Sequence, residues 1–322
     1  MIKNKNILIT GGAGFIGSNL VNKLLYENNF VLVIDDFNDY YLGKEEQLNG
    51  IVANYNHKED YNIIKGDLIK KSVLEKFDYE IDIIFHLAAQ ANVRHSLKHI
   101  SKISKNNIIS SINIFDYALN HNIQKTIFAS SSSVYGNPIY VPTDEEHPKN
   151  PISPYAISKL CGELYANYYH LHYKLPICTL RFSTVYGPNG RPDMAIRKFF
   201  DLIYQDKEIT IYGDGEQIRD FIYISDVIDG LILAAESNDS SGEIFNLGNS
   251  NQISINNLVD KMYKLTNRPK KVKYVNKQRG EVDKTFSNIE KAKKILDYSP
   301  KINIDQGLEY TNSWQKNLFH SR

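Results

Sequence analysis

The sequence predicts an α/β protein in which a doubly wound parallel sheet of the Rossmann type is followed by a smaller C-terminal α/β domain. Short apolar runs alternate with helix-length segments through the first half of the chain, beginning with Ile7 to Ile9 and Val31 to Ile34. The runs are continuous, as is expected of parallel strands that are buried on both faces. The first run leads into a glycine loop and then into a helix-length segment. Such repetition of strand and helix is typical of a doubly wound sheet.

Further apolar runs predict the rest of this sheet. A first helix is expected at residues 19–27, and strands are expected at 63–64, 81–87, 125–130 and 177–182. The rhythm changes after about residue 183, because Tyr186 to Asp193 is rich in Gly, Pro, Asn and Asp and so predicts a loop. A helix at 194–205, a strand at 208–212, a turn at 213–215 and a return to strand and helix at 220–236 are expected to follow.

The length of the chain favours two domains, since 322 residues exceed the usual size of one. We assign residues 1–182 to the Rossmann domain, to which the chain is expected to return at about 220–248. Residues 183–322 are assigned to a smaller, partly discontinuous domain that would complete the site by binding the substrate.

Composition and charge exclude several classes of protein. Lys and Arg number 38 against 37 Asp and Glu, so no overall basic field exists to attract nucleic acid. We find no signal peptide and no apolar stretch long enough to cross a membrane. Two cysteines, Cys161 and Cys178, cannot form a disulfide framework or a cysteine-based zinc site. The expectation is a soluble, cytoplasmic protein with no nucleic-acid partner, no membrane association and no metal.

The glycine loop predicts a dinucleotide site. Gly11, Gly14 and Gly17 have the spacing G-x-x-G-x-x-G in a loop that follows an apolar strand and opens a helix, and Phe15 and Ile16 are expected to contact the cofactor from the same loop. Glycines at this place let a pyrophosphate approach the backbone at a helix N-terminus. Asp35 ends the second strand, 18 residues after Gly17, where a carboxylate accepts from the ribose hydroxyls and repels a 2′-phosphate. The pattern therefore favours NAD over NADP; the alternative is a structural turn and a solvated aspartate.

Two further segments fit the cofactor. Asp67, followed by Leu68, comes after the third strand, where its carboxylate can accept from the adenine amino group or cap the next helix; the sequence does not separate these roles. His86 ends the fourth strand and is interpreted as a packing residue. The small residues after it would let the middle of the cofactor lie flat on the sheet edge. This segment consists of Leu87, Ala88, Ala89 and Gln90.

The spacing of a tyrosine and a lysine in the second third of the chain predicts a catalytic pair. Ser153 is a good N-cap and Pro154 suits the first helical position, so a helix should start there. Tyr155 and Lys159 then share one helix face. A nearby ammonium stabilises a phenolate and lowers the tyrosine pKa, which lets the phenol act as a base near neutral pH. Taken alone, this spacing also arises by chance in a chain with 22 tyrosines.

Serines follow the fifth strand. Ser130 to Ser133 precede Tyr135 and Gly136, and hydroxyls at the carboxyl ends of parallel strands face the ligand crevice. One of them can hydrogen-bond a substrate hydroxyl that is being oxidised. The alternative is a polar loop that caps its own backbone.

Together these motifs resemble those of extended short-chain dehydrogenases/reductases, specifically NAD-dependent nucleotide-sugar epimerases. The marks are TGGAGFIG, HLAAQ, SSSSVYG, SPYAISK and YGDGEQIRDFIYISD, and the similarity covers essentially the whole chain. The resemblance implies a catalytic triad of Ser131, Tyr155 and Lys159. It implies that Asn107, in the helix before the fifth strand, is a structural and cofactor-side asparagine. It also implies a homodimer, in which the helix that bears Tyr155 pairs with the preceding helix across a two-fold axis.

Three segments resemble UDP-glucuronate 4-epimerases most: IDDFNDYY, HLAAQANVRHS and LRFSTVYGPNGRPDMA. This resemblance implies that Thr184 and Arg191, with Ser132 and Ser133, surround the C6 carboxylate of the sugar. An arginine fork suits a carboxylate, although Arg191 can also be read as an exposed loop arginine.

The same resemblance implies UDP-binding roles elsewhere. Arg219 and Arg279 would bind the diphosphate, and Tyr212 would lie near the uracil or its ribose. Three positions differ from the subfamily pattern, since Asn92, Ser183 and Asn189 stand where Gly, Phe and Trp are usual.

The implied reaction converts UDP-glucuronate to UDP-galacturonate through transient oxidation at C4, a step that belongs to polysaccharide biosynthesis. The alternatives are a UDP-glucose or UDP-N-acetylglucosamine 4-epimerase and, from another class, a catalytically silent NAD-binding scaffold or sensor. Silent relatives generally lose the tyrosine or the lysine, and both are present here. A 4,6-dehydratase is disfavoured, because Ser132 and Ser133 stand where that family has an Asp-Glu pair.

Overall fold

A computed structural model describes residues 2–277 and 282–320. The first half of the chain alternates strands and helices. The strands are β1 (Asn6–Thr10), β2 (Phe30–Asp35), β3 (Tyr61–Lys65), β4 (Ile83–His86), β5 (Lys125–Ser131) and β6 (Ile177–Phe182). The helices are α1 (Phe15–Tyr26), α2 (Lys44–Val52), α3 (Val93–Lys98), α4 (Ile100–Asn120) and α5 (Pro154–Tyr173).

The second half mixes shorter elements. Its strands are β7 (Thr184–Tyr186), β8 (Ile209–Tyr212), β9 (Ile218–Tyr223), β10 (Ile244–Leu247), β11 (Gln252–Ser254) and β12 (Val272–Val275). Its helices are α6 (Ala195–Tyr204), α7 (Ile224–Glu236), α8 (Ile255–Thr266), α9 (Glu290–Leu296) and α10 (Ile304–His320). No helix in the described part of the chain is long and apolar enough to cross a membrane.

Seven strands form one parallel sheet in the order β10-β6-β5-β4-β1-β2-β3, which confirms the predicted fold class. The chain runs outward from β1 to β3, returns to β4 on the other side of β1, and then runs outward again. The strand order therefore reverses between β1 and β4, and a ligand crevice is expected at the carboxyl ends of these strands.

The apolar runs are buried on both faces of this sheet. In β1, Ile7 and Ile9 pack on the side of α1, whereas Leu8 packs on the opposite side, with residues of α4 and α5. All three are fully inaccessible to solvent. Helices therefore cover both faces, which is why the runs do not alternate with polar residues.

Two small sheets lie outside the large one. Strands β11, β9 and β7 form one, and β12 pairs with β8 in the other. Strand β10 instead adds to the edge of the large sheet beside β6. The division of the chain after residue 182, with a return at about 220–248, stays a proposal.

Candidate active site

A cleft of about 560 Å³ opens at the carboxyl ends of the large sheet, at the reversal of strand order. Most of the predicted site residues line it, although they come from ten separate places in the chain. They are Gly11, Gly14, Phe15, Ile16, Gly17, Asp35, Asp67, Leu68, Leu87, Ala88, Ala89, Gln90, Asn107, Ser131, Ser132, Ser133, Tyr155, Lys159, Thr184, Arg191 and Arg219.

Two predicted substrate residues stand apart from this group. Within the described residues, Tyr212 does not line the cleft. Arg94 does line it, and the guanidinium carbon of Arg94 lies 4.5 Å from the centroid of the Tyr212 ring. Arg279 lies outside the described residues. Arg219 lines the cleft, and its Nη1 donates to the carbonyl oxygen of Ile218 at 2.8 Å.

The glycine loop fits a pyrophosphate. Gly14 is the N-cap of α1 and offers no side-chain cap, so the N–H groups of the first turn remain for an anion. Gly11 has φ +72°, and a Cβ there would lie 2.8 Å from the backbone of Ala88. Only glycine allows the loop to lie this close to the segment after β4, because a side chain would push the two apart.

Asp35 is held by the glycine loop itself. Its Oδ2 accepts from the backbone N–H of Ala13 at 3.0 Å, and its Oδ1 accepts from that of Phe37 at 2.9 Å. Burial raises the pKa of this carboxyl, while the two donors oppose the shift. Because each carboxylate oxygen has a second lone pair, Asp35 can still accept from ribose hydroxyls at the cleft wall.

Asp35→Asn is expected to narrow the preference for NAD over NADP by about tenfold, because a hydrogen bond to a charged group contributes about 1.5–3 kcal/mol. The amide retains one acceptor but removes the charge that repels a 2′-phosphate. Dissociation constants of both cofactors, measured by titration calorimetry, test this. Asp39→Asn is the control, since Asp39 is exposed and does not line the cleft. An unchanged NAD/NADP ratio in Asp35→Asn would show that the carboxylate does not face the ribose.

Asn107 joins the cofactor side of the cleft to the helix of the catalytic pair. Its Oδ1 accepts from the N–H of Gln90 at 2.8 Å, and its Nδ2 donates to Ser158 Oγ at 2.9 Å. Asp67 lies beyond β3, where its Oδ1 accepts from the N–H of Ile69 at 3.0 Å and caps a local turn while the residue still lines the cleft. The next helical segment, Lys71–Val73, has Lys70 as its N-cap, so Asp67 does not cap it, and the contact of Asp67 with the adenine stays a prediction.

His86 belongs to the core. Its Nδ1 lies 2.7 Å from Thr10 Oγ1 and its Nε2 lies 3.0 Å from Ser111 Oγ. Burial lowers the pKa of its imidazole to about 3, so the ring is neutral at physiological pH. This arrangement fits a packing residue.

Helix α5 begins where the sequence predicts. Ser153 Oγ accepts from the N–H of Ala156 at 3.2 Å, and Pro154 is the first helical residue. Lys159 donates its Nζ to the carbonyl oxygen of Ala129 at 2.6 Å. Burial lowers the pKa of Lys159 to about 8, against the opposing charge of Glu163.

The electrostatics of Tyr155 involve a residue outside α5, while its pairing with Lys159 stays a prediction. Burial raises the pKa of its phenol, while the charge of Arg191 and a hydrogen bond with Ser131 lower it. The charge that lowers the pKa of Tyr155 against burial comes from Arg191, in the loop after β7. The sequence does not indicate this effect of Arg191 on Tyr155, because the two residues are far apart in the chain.

The serines at the end of β5 cap their own backbone and also line the cleft. Ser131 Oγ accepts from the N–H of Ser133 at 3.2 Å, so this loop does cap its own backbone. Three buried polar atoms at the cleft wall, however, have no hydrogen-bond partner within the described protein: Ser133 Oγ, Gln90 Oε1 and Tyr41 Oη. Since a buried polar group without a partner is costly, these atoms indicate a bound polar ligand.

A buried ion pair lies behind the catalytic residues. Glu163 accepts from Arg181 Nε at 2.9 Å and Nη2 at 2.6 Å, and it also accepts from Ser130 Oγ. Arg181 donates its Nη1 to Tyr135 Oη at 2.8 Å. Glu163 is one turn after Lys159 on α5, so the pair fixes the helix face and the strand end that hold the catalytic groups.

The fold and the cleft define a dinucleotide-binding protein of the Rossmann type. Residues 7–248 match the NAD dependent epimerase/dehydratase family, and the chain belongs to that family. This confirms the predicted enzyme class, an NAD-dependent nucleotide-sugar 4-epimerase, which is an isomerase, and it confirms NAD as the cofactor.

Three relatives show the range of sugars in this group. A UDP-glucuronate 4-epimerase of Thermodesulfobacterium geofontis is 38% identical over 96% of this chain and 95% of its own. The structure of a UDP-glucuronic acid 4-epimerase from Bacillus cereus with UDP-glucuronic acid and NAD is 34% identical, with a TM-score of 0.89 over 97% of this chain and 99% of that one. A UDP-N-acetylglucosamine 4-epimerase from Methanobrevibacter ruminantium, in complex with UDP-N-acetylmuramic acid, is also 34% identical, with a TM-score of 0.89 over 98% of this chain and all of that one.

Proposed function

We propose that the protein interconverts UDP-glucuronate and UDP-galacturonate. The observation that carries this proposal is the guanidinium of Arg191 at the wall of the cleft, where its charge acts on Tyr155. The buried hydroxyl of Ser133, which has no partner within the described protein, lines the same cleft. A carboxylate on the sugar would accept from both groups. The uronate epimerases among the relatives support this choice of sugar.

The proposed mechanism begins with Tyr155. As a phenolate it removes the proton of the C4 hydroxyl, with the hydroxyl of Ser131 bridging the two oxygens. NAD, when bound, supplies the nicotinamide that accepts a hydride from C4 and returns it to the other face of the sugar. Tyr155 then gives the proton back, so the sugar leaves inverted at C4 and neither proton nor hydride is consumed.

Arg191 has a second proposed task. A glucuronosyl group oxidised at C4 is a β-keto acid. It loses CO2 when the bond between C5 and the C6 carboxylate aligns with the π system of the C4 ketone. Hydrogen bonds from Arg191, Ser132, Ser133 and Thr184 would hold the carboxylate near the plane of the ketone. That orientation suppresses the loss of CO2 and keeps the intermediate available for reduction.

Incubation with UDP-glucuronate, UDP-glucose and UDP-N-acetylglucosamine, with the products resolved by NMR, tests the proposal. We expect UDP-glucuronate to have the highest kcat/KM. Arg191→Ala should lower that value and narrow the advantage over UDP-glucose, because the carboxylate loses a charged hydrogen-bond donor. It should also release some UDP-pentose by loss of CO2.

Arg191→Lys is the matched variant, since it keeps the charge but loses the planar fork. It should retain more of the uronate preference than Arg191→Ala. The uronate assignment would be wrong if the wild type prefers UDP-glucose or UDP-N-acetylglucosamine. It would also be wrong if Arg191→Ala leaves the ratio of kcat/KM for UDP-glucuronate over UDP-glucose unchanged. A neutral sugar would then be the substrate.

The homodimer and the cytoplasmic location are part of the same proposal. Helices α4 and α5 pack together, and α5 exposes Ile157, Leu164, Tyr168 and Leu171 along its length. An exposed apolar surface of this kind favours association with a second copy. Light scattering in solution should give twice the mass of the chain; a mass of one chain across the working concentrations would exclude the dimer.

A further inference from the structure

Arg191 already has a carboxylate partner within its own loop. Its Nε donates to Asp193 Oδ1 at 3.0 Å, and its Nη2 donates to Asp193 Oδ2 at 3.2 Å. The Arg191 side chain is 19% exposed and that of Asp193 is 28% exposed, so the pair is shielded more than a surface ion pair. Its electrostatic contribution is correspondingly less screened by solvent.

Among the described residues, Asp193 is the hydrogen-bond partner of the Arg191 guanidinium, and one edge of that group remains available. A guanidinium has five N–H donors, and Asp193 occupies the edge formed by Nε and Nη2. The other edge, formed by Nη1 and the second hydrogen of Nη2, suits a second carboxylate. Arg191 lines the cleft, whereas Asp193 does not.

Two neighbours hold Asp193 in this position. Asn92 donates its Nδ2 to Asp193 Oδ2, and Tyr40 donates its hydroxyl to the same oxygen at 3.1 Å. Arg191, Asn92 and Tyr40 together hold the pKa of the Asp193 carboxyl below its usual value, although burial opposes them. Asp193 is therefore an anion with three donors from different parts of the chain.

We propose that Asp193 is a positioning residue that sets the sugar specificity of the cleft by orienting Arg191 and partly neutralising its charge. The proposal rests on the proposed function, since it needs a UDP-sugar bound beside Arg191. An arginine without an anion would penalise a neutral sugar, because its charge would be left unpaired. Asp193 supplies that anion within the protein, so a neutral hexose is tolerated and the preference for a uronate is limited.

Asp193→Asn should therefore increase the preference for UDP-glucuronate over UDP-glucose. The amide has nearly the same shape but no charge, so Arg191 would rely on the sugar for its counter-ion. We expect the ratio of kcat/KM for UDP-glucuronate over UDP-glucose to rise by about tenfold, and the ratio of their dissociation constants to change in the same direction. Asp193→Glu keeps the charge and should stay near the wild-type ratio.

A second variant changes the support of Asp193 without touching the ion pair. Asn92 is also the N-cap of α3, where its Oδ1 accepts from the N–H of His95 at 2.8 Å. Asn92→Ser keeps a capping oxygen but removes the amide donor to Asp193. It should raise the selectivity ratio in the same direction as Asp193→Asn, by a smaller factor.

Calorimetry and turnover with both sugars separate the outcomes. A higher ratio in Asp193→Asn and in Asn92→Ser, with Asp193→Glu near wild type, supports the proposal. An equal loss of kcat/KM for both sugars in Asp193→Asn, or an unchanged ratio of kcat/KM between them, would show that Asp193 is a structural residue only. Either result would overturn the inference and leave the proposed function intact. A wild type that binds neither sugar would overturn the proposed function, and the inference with it.

Discussion

Tyr155→Phe is expected to lower kcat by about 10²–10⁴, the usual effect of losing a general base, while NAD binding is retained. The ring stays in place, but the oxygen that would remove the C4 proton is gone. Tyr155 is half-buried and lines the cleft in which the sugar is proposed to bind. The measurement is kcat with saturating UDP-sugar, together with the dissociation constant of NAD by calorimetry.

The control for this variant is another tyrosine of α5. Tyr165 lies on the same helix but is 40% exposed, and it does not line the cleft. Tyr165→Phe removes the same atom from the same helix and should leave kcat close to that of wild type. If Tyr155→Phe keeps more than half of the wild-type activity, Tyr155 is not the base.

The sequence predicts well what local chemistry determines. The Ser153 and Pro154 pair predicts the start of α5, because a capping hydroxyl and a fixed φ act on residues next to them in the chain. The large sheet follows from continuous apolar runs, because strands that helices cover on both faces bury every side chain. The predicted start of α1 is wrong by four residues, since the helix begins at Phe15 and not at residue 19. The tight turn at Gly11 lets the helix begin directly after Gly14.

Contacts that depend on tertiary packing escape the sequence. The motifs identify Arg191 as a ligand for a sugar carboxylate, but they do not show that Asp193 binds one edge of it. The place of Tyr212 near the uracil or its ribose stays a prediction, and the sequence does not show that Arg94 lies over its ring. Arg191 and Asp193 are neighbours in one loop, but the contacts of Asp193 with Asn92 and Tyr40 come from distant parts of the chain. Arg94 is likewise distant from Tyr212 in the chain, so the sequence does not show that the two meet.

The same holds for the pair of Glu163 and Arg181, for which the sequence gives no signal. The two residues lie on α5 and β6, and their side chains are 3% and 1% exposed. Removing one partner of a buried pair leaves the other charge without compensation, which costs about 3–5 kcal/mol. We expect Glu163→Gln to lower the free energy of unfolding by about that amount, because the amide keeps the shape of the side chain and its acceptor but not its charge.

Urea denaturation of wild type and variants measures this effect. Lys261→Met is the control, since Lys261 and Asp305 form a pair with side chains that are 41% and 62% exposed, and exposed pairs contribute about 1 kcal/mol or less. Glu163→Gln combined with Arg181→Met removes both charges, so the double variant should be more stable than Glu163→Gln alone. A loss below about 1 kcal/mol in Glu163→Gln, or no recovery in the double variant, would mean that the unpaired charge of Arg181 is not what Glu163 compensates.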